Sequence, residues 1–373
     1  MSDATKAILR QVSRYALWVL AVFAVSGIAT AVFINVIYPK LSDIPGFTVL
    51  FPRFPIIINR TEQVRIAEGI DIRGTYERIR PAVVSVLSHQ GGLAPGAADF
   101  SPPTVSSGMI ATDDGLILVS RRATGDAPRI DVVLTDGTIY RATLVASDVK
   151  SDLAVLKIDA ANLPIVQFED AASLQVGDRV IAVGASFSQF QNPVRAAQIT
   201  FPLASLQDYG ERWSADELHE FVSVDATFDQ KFFGAPLVNR DARVVGLIGP
   251  GGILPGQEVL QSLNHYLSAK TIAHGTWGLR YTPVTPAIAQ ASGLAKPYGA
   301  LLLSGVGQPA VIAGSAAATA GLREGDFVYK INSIDLDAVH SFEQVSNQFF
   351  AGDKVTLEVW RANAQLTLSL IPK

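Results

Sequence analysis

The apolar positions of this chain follow successive patterns, and each pattern predicts a different kind of structure. Residues 15–39 form an unbroken apolar run without a charged residue. An apolar helix of about 20 residues crosses the hydrocarbon core of a membrane, so this run predicts a single N-terminal transmembrane helix. From residue 83 onwards, short runs rich in β-branched residues alternate with turn signals such as Asp136-Gly137. This spacing is typical of β-barrels, and we expect a mainly β fold.

The first predicted strand of this β region covers residues 83–87. The others cover 106–111, 115–120, 130–134, 138–146, 153–158, 179–185, 220–225 and 243–249. A short helical pattern over 74–81 precedes this region, and a helix over 258–273 closes it. The Gly/Pro/Ala-rich stretch 91–103 has the composition of a mobile surface loop.

The last hundred residues predict a second, smaller domain. Its strands are expected near 300–306, 326–331, 354–360 and 364–371. A helix is expected over 342–350, because Ser341 and Gln344 form a capping-box pattern in front of an apolar face.

The charges beside the apolar run predict its orientation. Residues 1–14 contain three Lys or Arg residues, whereas Lys40 is the only nearby basic residue after the run. Basic residues favour the cytoplasmic side, so we expect residues 1–14 to form a cytoplasmic tail and the bulk of the chain to be extracytoplasmic. The alternative is a cleaved signal peptide, because Ala29-Thr30-Ala31 fits a cleavage site. We favour a retained helix because the apolar run continues well past residue 31.

Residues 40–73 predict an extended connector, because prolines interrupt its short apolar runs.

The net charge of −4 and the pI near 5.8 argue against nucleic-acid binding, which requires a basic face. The absence of cysteine excludes disulfides, thiolate metal sites and a cysteine nucleophile. Zinc-ligand spacings, phosphate-binding loops and paired catalytic carboxylates are also missing, so we predict no metal and no cofactor.

Several motifs in the β region follow one another in a fixed order. Ser-Gly-Met-Ile at 107–110 precedes Gly-Leu-Ile-Leu at 115–118 and Ser-Asp-Leu-Ala-Val-Leu-Lys-Ile at 151–158. In these motifs, their spacing and the apolar segment before them, the chain resembles the HtrA/DegS family of membrane-anchored, trypsin-like serine proteases. The resemblance implies a trypsin-like double six-stranded β-barrel over 74–273 and a PDZ domain over 274–373.

The resemblance also locates the three catalytic positions, and two of them have lost their chemistry. Arg122 stands where the family has its histidine, Phe233 where it has its serine, and Asp152 matches the aspartate. Arginine stays protonated and cannot accept a hydroxyl proton, and a phenyl ring has no nucleophilic atom. Phe232 and Pro236 are expected to help reshape the oxyanion-hole loop. We therefore predict a pseudoprotease without a catalytic residue.

Asp152 is interpreted as a structural residue, since no imidazole remains for it to orient. Our hypothesis is a bidentate ion pair between Arg122 and Asp152 that locks the two half-barrels together. A Ser-Lys dyad of Ser223 and Lys231 is disfavoured, because such a pair is common by chance. None of the histidines is expected beside a serine in the cleft; they are His89, His219, His265, His274 and His340.

The PDZ domain is expected to retain peptide binding, because this function depends on the shape of a groove and needs no catalytic residue. By resemblance, a loop at its start offers N–H groups to a peptide carboxylate while the peptide pairs with the adjoining strand. The residues of this loop are Gly275, Thr276, Trp277, Gly278 and Leu279. Trp277 is larger than the aliphatic residue usual there, and it is expected to narrow the pocket or to anchor a partner. Phe342, Val345 and Phe349 are expected to line the groove or, more simply, to face the core.

These observations favour a scaffold or adaptor held at the bacterial inner membrane. Its expected partners are the lipid bilayer, through the N-terminal helix, and a membrane protein or protein C-terminal peptide, through the PDZ groove and the remodelled cleft. The alternative is a residual or partner-activated serine endopeptidase in envelope protein quality control, and a holdase remains a third hypothesis. Family resemblance also implies a homotrimer or a subunit of a membrane complex.

Overall fold

A computed structural model describes residues 3–37, 71–91, 102–169, 174–185, 192–205, 212–362 and 364–373. The chain divides into two units, Met1–Ile66 and Ala67–Lys373. Each unit is described by itself.

The described part of the first unit, residues 3–37, is one long helix. Helix α1 spans Asp3–Val32 and continues as a π-helical turn over Phe33–Ile37. Within it, Ser13–Ile37 is long and apolar enough to cross a membrane, with a mean hydropathy of 2.4. The Thr30 hydroxyl donates to the Ser26 carbonyl at 2.8 Å, which satisfies a polar group inside the helix, as a lipid environment requires. The predicted apolar helix is thus present, and its last two residues lie outside the described residues.

Helix α2 opens the second unit at Ile72–Ile79, where Asp71 caps it by accepting a hydrogen bond from the Gly74 N–H at 3.0 Å. It begins two residues inside the predicted connector, most of which lies outside the described residues. A 3₁₀ turn over Arg80–Ala82 then leads into the first barrel.

The first barrel closes in the order β1-β2-β3-β6-β5-β4, with every neighbouring pair antiparallel. Its strands are β1 (Val83–His89), β2 (Thr104–Ile110), β3 (Leu116–Ser120), β4 (Arg129–Val133), β5 (Ile139–Ser147) and β6 (Leu153–Lys157). The short helix α3 (Arg121–Thr124) follows β3. The predicted strands of this barrel are confirmed within a few residues.

The second barrel is built from β8, β9, β11, β14, β13 and β12, and it closes because β12 pairs with both β8 and β13. Strand β7 is added in parallel to β13. The strands of this region are β7 (Gln167–Phe168), β8 (Arg179–Val183), β9 (Val194–Ser205), β10 (Trp213–Ser214), β11 (Glu220–Val224), β12 (Pro236–Val238), β13 (Arg243–Gly249) and β14 (Gly252–Pro255). Five of these strands, β7, β9, β10, β12 and β14, were not predicted. Helix α4 (Gly256–Ala269) packs against the barrel and confirms the predicted closing helix.

The PDZ region forms a sheet in the order β10-β15-β16-β17-β19-β20, with β18 paired to β17. Its strands are β15 (Arg280–Val284), β16 (Gly299–Leu302), β17 (Phe327–Ile331), β18 (Ile334–Asp335), β19 (Val355–Arg361) and β20 (Ala364–Leu370). Its helices are α5 (Pro286–Ser292), α6 (Ala316–Thr319) and α7 (Phe342–Ser346). The capping box of Ser341 and Gln344 is confirmed, although α7 ends four residues before the predicted bound. The edge strand of this sheet, β10, comes from the sequence before the second barrel closes.

Candidate functional site

Arg122, which the sequence resemblance aligns with a catalytic histidine, lies in the short helix α3 at the end of β3. Ser120 ends β3, and its Oγ accepts a hydrogen bond from the Ala123 N–H at 3.2 Å, which caps α3. This cap directs the Arg122 side chain towards Asp152, and its Nε lies 3.2 Å from Asp152 Oδ1. The predicted ion pair between Arg122 and Asp152 is present, but its guanidinium makes one contact instead of the predicted bidentate link.

The Asp152 carboxylate is held by two further hydrogen bonds. Its Oδ1 accepts the Arg122 backbone N–H at 2.8 Å, and its Oδ2 accepts the Ser120 hydroxyl at 2.6 Å. Asp152 itself has a left-handed backbone with φ of 56°. All of these partners lie in the first barrel. The prediction that the ion pair locks the two half-barrels together is therefore wrong, because both charged residues belong to the same barrel.

The second barrel approaches this ion pair through two glycines. A Cβ on Gly249 would lie 3.3 Å from Asp152 Oδ2, and a Cβ on Gly251 would lie 2.9 Å from Arg122 Nη2. The guanidinium group therefore packs against the backbone of the second barrel, beside a cavity of about 280 Å³ that Arg122 and Asp152 help to line. It is also half exposed, with 53% of the Arg122 side chain accessible.

Phe233 lies at the end of a short 3₁₀ turn over Gln230–Phe232. Its carbonyl accepts the Ser107 N–H at 2.8 Å, which ties the loop to β2 of the first barrel. The following Gly234 has φ of 85°, and its N–H donates to the Ile248 carbonyl at 2.6 Å. The half-buried Phe233 packs against the core of the second barrel. The backbone of the loop is thus anchored to both barrels, and Phe233 contributes an apolar ring to it.

Two backbone N–H groups of this loop donate hydrogen bonds to acceptors within the loop. In trypsin-like enzymes the oxyanion hole is made by the N–H of the nucleophile and that of the residue two before it, here Phe233 and Lys231. The Phe233 N–H points to the Gln230 carbonyl at 3.2 Å, and the Lys231 N–H donates to Asp229 Oδ1 at 3.1 Å. Both N–H groups therefore have acceptors within the loop, and the expected reshaping of an oxyanion hole stays a prediction.

An apolar cavity of about 370 Å³ opens beside Phe233. Phe221, Phe228, Ile248 and Ile253 provide much of its apolar lining. The lining of this cavity contains no charged side chain.

The other candidate catalytic groups are engaged elsewhere. The Ser223 hydroxyl accepts the Thr200 hydroxyl at 2.8 Å, and Lys231 is exposed, so the structure does not form the Ser-Lys dyad. All five histidines lie in the described part of the chain, and none contacts a serine hydroxyl in the cleft. The contacts are His89 with Asp131 (3.0 Å), His219 with the Ser214 carbonyl (3.0 Å), His265 stacked on Phe350 (3.7 Å), His274 with Asp148 (2.9 Å) and His340 with Asp337 (3.0 Å). Among the described residues, no group of three His, Asp or Glu side chains is arranged to hold a metal ion.

The residues predicted to form the carboxylate-binding loop of the PDZ domain, 275–279, have different contacts. Gly275 is packed tightly, since an added Cβ would lie 2.2 Å from Pro372 Cβ, and the Thr276 N–H donates to the Lys373 carbonyl at 2.7 Å. These two residues hold the end of the PDZ domain. The N–H groups of Trp277 and Gly278 point into the groove, where they donate to the Asp216 carboxylate.

The aromatic and aliphatic residues predicted for the groove lie mostly in the core. Trp277 is fully buried, and its ring packs edge-on against Phe342 at 5.7 Å and Phe349 at 6.5 Å. The idea that Trp277 anchors a partner is therefore wrong, because no part of its ring is exposed. Val345 is also fully buried, so these positions support the groove from beneath.

A cluster of buried carboxyl groups lies where the second barrel, α4 and α7 meet. Glu343 Oε1 accepts the backbone N–H groups of His219 at 2.6 Å and Glu220 at 3.0 Å, and Glu258 Oε1 accepts the Asn347 side chain at 3.1 Å. Burial and the neighbouring Glu343 raise the pKa of Glu220 to about 8. Burial raises the pKa of Glu258 to about 7 and also raises that of Glu343. Sequence patterns gave no sign of this cluster, because its members are far apart in the chain.

Lys150 and Asp148 bring charges from the first barrel to the edge of this cluster. The Lys150 Nζ donates to the Ala215 carbonyl at 2.7 Å, and burial lowers the pKa of its ammonium group. Burial opposes ionisation of Asp148, but hydrogen bonds from His274 and Ser151 and the charge of His274 hold its pKa at about 2. These contacts join the first barrel to the PDZ domain.

Two family models match the chain: a trypsin-like peptidase domain over residues 106–247 and a PDZ domain over residues 309–361. A probable periplasmic serine endoprotease, DegP-like, from Chlamydia muridarum is 29% identical over 266 residues, covering 68% of this chain and 51% of that protein. Human serine protease HTRA4 is 29% identical over 314 residues, covering 81% and 64%. The chain thus spans about half to two thirds of the length of these relatives.

Solved structures show the same fold. The HtrA-type protease AlgW with a decapeptide superposes with a TM-score of 0.59 at 22% identity, covering 81% of this chain and 98% of that one. At this level of identity the match supports the fold of the two barrels and the PDZ domain.

Proposed function

We propose that this chain is a member of the HtrA family of trypsin-like proteins with a C-terminal PDZ domain, and that it is a membrane-anchored pseudoprotease. Its role would be that of an extracytoplasmic scaffold, which binds an apolar segment of a membrane-protein partner in the remodelled cleft. The single observation that carries the proposal is the loop at Phe233, which has neither a nucleophile nor a free oxyanion donor.

The loss extends over all three parts of the reaction. Phe233 offers no attacking atom, Arg122 cannot accept a proton, and the two loop N–H groups are bonded within the loop. In serine proteases a residual rate survives loss of triad members because the oxyanion hole and substrate binding persist. Here the oxyanion hole is closed as well, so that residual route is absent.

The relatives are named as serine endoproteases, which makes proteolysis the competing function. It would require a serine near a general base, and Ser223 and the histidines are bonded to other groups. The apolar cleft beside Phe233, by contrast, needs no rearrangement to accept an apolar segment.

The location follows from the N-terminal unit and the relatives. Ser13–Ile37 has the length and hydropathy of a membrane span, and one of the relatives is described as periplasmic. We propose one membrane span with the barrels and the PDZ domain outside the cytoplasm. A homotrimer, implied by family resemblance, belongs to the same proposal.

Activity-based labelling tests the loss of proteolysis. The full chain in detergent micelles is incubated with a fluorophosphonate probe and, separately, with an unfolded casein substrate. We expect no labelling and no cleavage, and the single variant Phe233→Ser should stay unlabelled because no base activates its hydroxyl. Labelling of the native chain, with the modified serine found by mass spectrometry, would overturn the pseudoprotease proposal.

Co-purification tests the scaffold role. The native chain and a Phe228→Asp variant, which places a charge in the apolar cleft, are extracted from native membranes in mild detergent. Val176→Asp is the matched control, because Val176 is an exposed apolar residue outside the cleft lining. A stoichiometric membrane protein that is retained by the control and lost from Phe228→Asp supports the proposal. Equal recovery with all three proteins places the contact elsewhere and refutes the cleft as the binding surface.

A further inference from the structure

The peptide groove of the PDZ domain is filled by residues of the same chain. Strand β10 adds to the edge of the PDZ sheet, with Trp213 opposite Tyr281 and Ser214 opposite Arg280 in antiparallel register. The Ala215 N–H then donates to the Leu279 carbonyl at 3.1 Å. A peptide ligand that adds a strand to this sheet edge would need these same backbone groups.

A carboxylate occupies the end of the groove. Asp216 Oδ1 accepts the Trp277 N–H at 2.6 Å, and Asp216 Oδ2 accepts the Gly278 N–H at 3.0 Å. These N–H groups belong to the loop expected to bind the terminal carboxylate of a peptide. The Asp216 side chain therefore supplies the charge that a peptide C-terminus would supply, through charge-assisted hydrogen bonds.

The side chains of the segment alternate as those of a bound strand do. Trp213 and Ala215 are each 3% exposed and join the PDZ core, whereas Ser214 between them is only half-buried. The Trp213 ring packs edge-on against Tyr281, with the ring centroids 6.0 Å apart. An aromatic residue thus enters the groove two positions before a small residue, which lies next to the carboxylate.

Contacts outside the groove hold the segment in register. The Arg212 Nη1 donates to the Thr282 hydroxyl at 2.8 Å, and the Lys150 Nζ donates to the Ala215 carbonyl at 2.7 Å. The Ser214 carbonyl lies 3.0 Å from His219 Nε2. The segment is therefore anchored to the PDZ domain and to the barrel at once.

We propose that residues 213–216 are an internal ligand that keeps the PDZ groove closed. The external ligand that competes with it is a protein C-terminus with a free carboxylate, a small last residue and an aromatic residue two positions before it. This inference concerns the PDZ groove alone, and it holds whether or not the cleft beside Phe233 binds a partner.

The covalent connection makes the internal ligand a strong competitor. A tethered segment acts at a high effective concentration, on the order of millimolar for a short flexible link. The apparent affinity of a free peptide is its intrinsic affinity multiplied by the fraction of molecules in which the groove is open. Weakening the internal ligand should therefore strengthen the binding of a free peptide.

Fluorescence anisotropy of a labelled peptide tests this expectation on the full chain in detergent micelles. The peptide copies residues 210–215 and ends in a free carboxylate at the position of Ala215. We expect Asp216→Ala to bind it at least about tenfold more tightly than the native chain does, because the carboxylate loop is vacated. The control Glu217→Ala removes the adjacent exposed carboxylate and should bind like the native chain. The same peptide with an amidated C-terminus should lose its binding to Asp216→Ala.

A disulfide provides a second test, and its first readout, disulfide formation, does not depend on Asp216→Ala. The chain contains no cysteine, so Ser214→Cys and Arg280→Cys introduce one cross-strand pair at facing positions. We expect complete disulfide formation under a mild oxidant. When combined with Asp216→Ala, the oxidised form should not bind the peptide, and reduction should restore binding. Absence of the disulfide, or equal peptide affinity of the native chain and Asp216→Ala, would show an open groove and overturn the proposal.

Discussion

The Arg122 Nε lies 3.2 Å from Asp152 Oδ1, and the same oxygen accepts the Arg122 backbone N–H at 2.8 Å. A single carboxylate thus accepts both the side chain and the main chain of Arg122. With the Ser120 hydroxyl on its other oxygen, Asp152 fixes the turn from β3 into α3. These contacts give Asp152 a structural role in the turn.

This arrangement predicts that replacing Asp152 lowers the free energy of unfolding more than replacing Arg122 does. Asp152→Ala leaves the buried Ser120 hydroxyl and a backbone N–H without their acceptor, which should reduce the free energy of unfolding by about 2–4 kcal/mol. Arg122→Ala removes a half-exposed charge and should cost less than about 1 kcal/mol. Urea denaturation of the two variants measures both values. Equal losses of unfolding free energy in the two variants would mean that the ion pair, and not the buried hydrogen bonds, accounts for the stabilisation by Asp152.

The loop at Phe233 depends on a glycine with no room for a side chain. Gly234 has φ of 85°, and an added Cβ would lie 2.0 Å from the Ser107 carbonyl oxygen. Gly177 has a similar φ of 92° but nothing within 4 Å of such a Cβ. Gly177→Ala should therefore cost only the backbone strain, about 1–2 kcal/mol, and Gly234→Ala clearly more. Thermal unfolding of both variants tests this, and similar losses would contradict the packing argument.

The buried carboxyl cluster predicts lower stability at alkaline pH. Burial and Glu343 raise the pKa of Glu220 to about 8, so the folded chain holds a proton that the unfolded chain releases near the ordinary value of 4.5. This contribution is complete below pH 4.5 and is lost as the pH rises through 8. We expect the melting temperature to fall from pH 6 to pH 9, and Glu220→Gln to flatten that fall. An unchanged slope in Glu220→Gln would exclude this residue as the cause.

The Asp148 contact predicts the opposite dependence at acid pH. Its pKa of about 2, held down against burial by His274 and Ser151, lies below the ordinary value of 3.8. The stabilisation is present above 3.8 and is lost as the pH falls towards 2. Asp148→Asn should lose stability at pH 6 and show a shallower decline between pH 4 and pH 2. Denaturant titrations at each pH give the slope, and a parallel decline in both proteins would refute the assignment.

The N-terminal helix predicts a retained membrane anchor. An Arg at the centre of a span disfavours insertion by about 2.5–3.5 kcal/mol, so Val25→Arg should move the chain from the membrane fraction to the soluble or degraded fraction. Val32→Arg, near the end of the span, should have a smaller effect. Alkaline extraction of membranes gives the bound fraction. An N-terminus that begins after Ala31 in the mature protein would instead support the cleaved signal peptide.

The sequence predicted elements whose signals are local. The strands of the first barrel followed from alternating apolar runs, and the start of α7 followed from its capping box. Strands β10, β12 and β14 were missed because they are two to four residues long. Such short segments become strands only through the partners that the barrel and the PDZ sheet provide.

The sequence by itself determined which side chains are available, such as an arginine at position 122 and a phenylalanine at position 233, because residue type fixes which atoms a position can offer. Only the tertiary structure decided what the remaining groups do. The Asp216 carboxylate meets the Trp277 N–H across 61 positions of sequence, and Glu343 meets the His219 N–H across 124. A hydrogen bond depends on distance in space, and no pattern along the chain records which distant residues the fold brings within 3 Å.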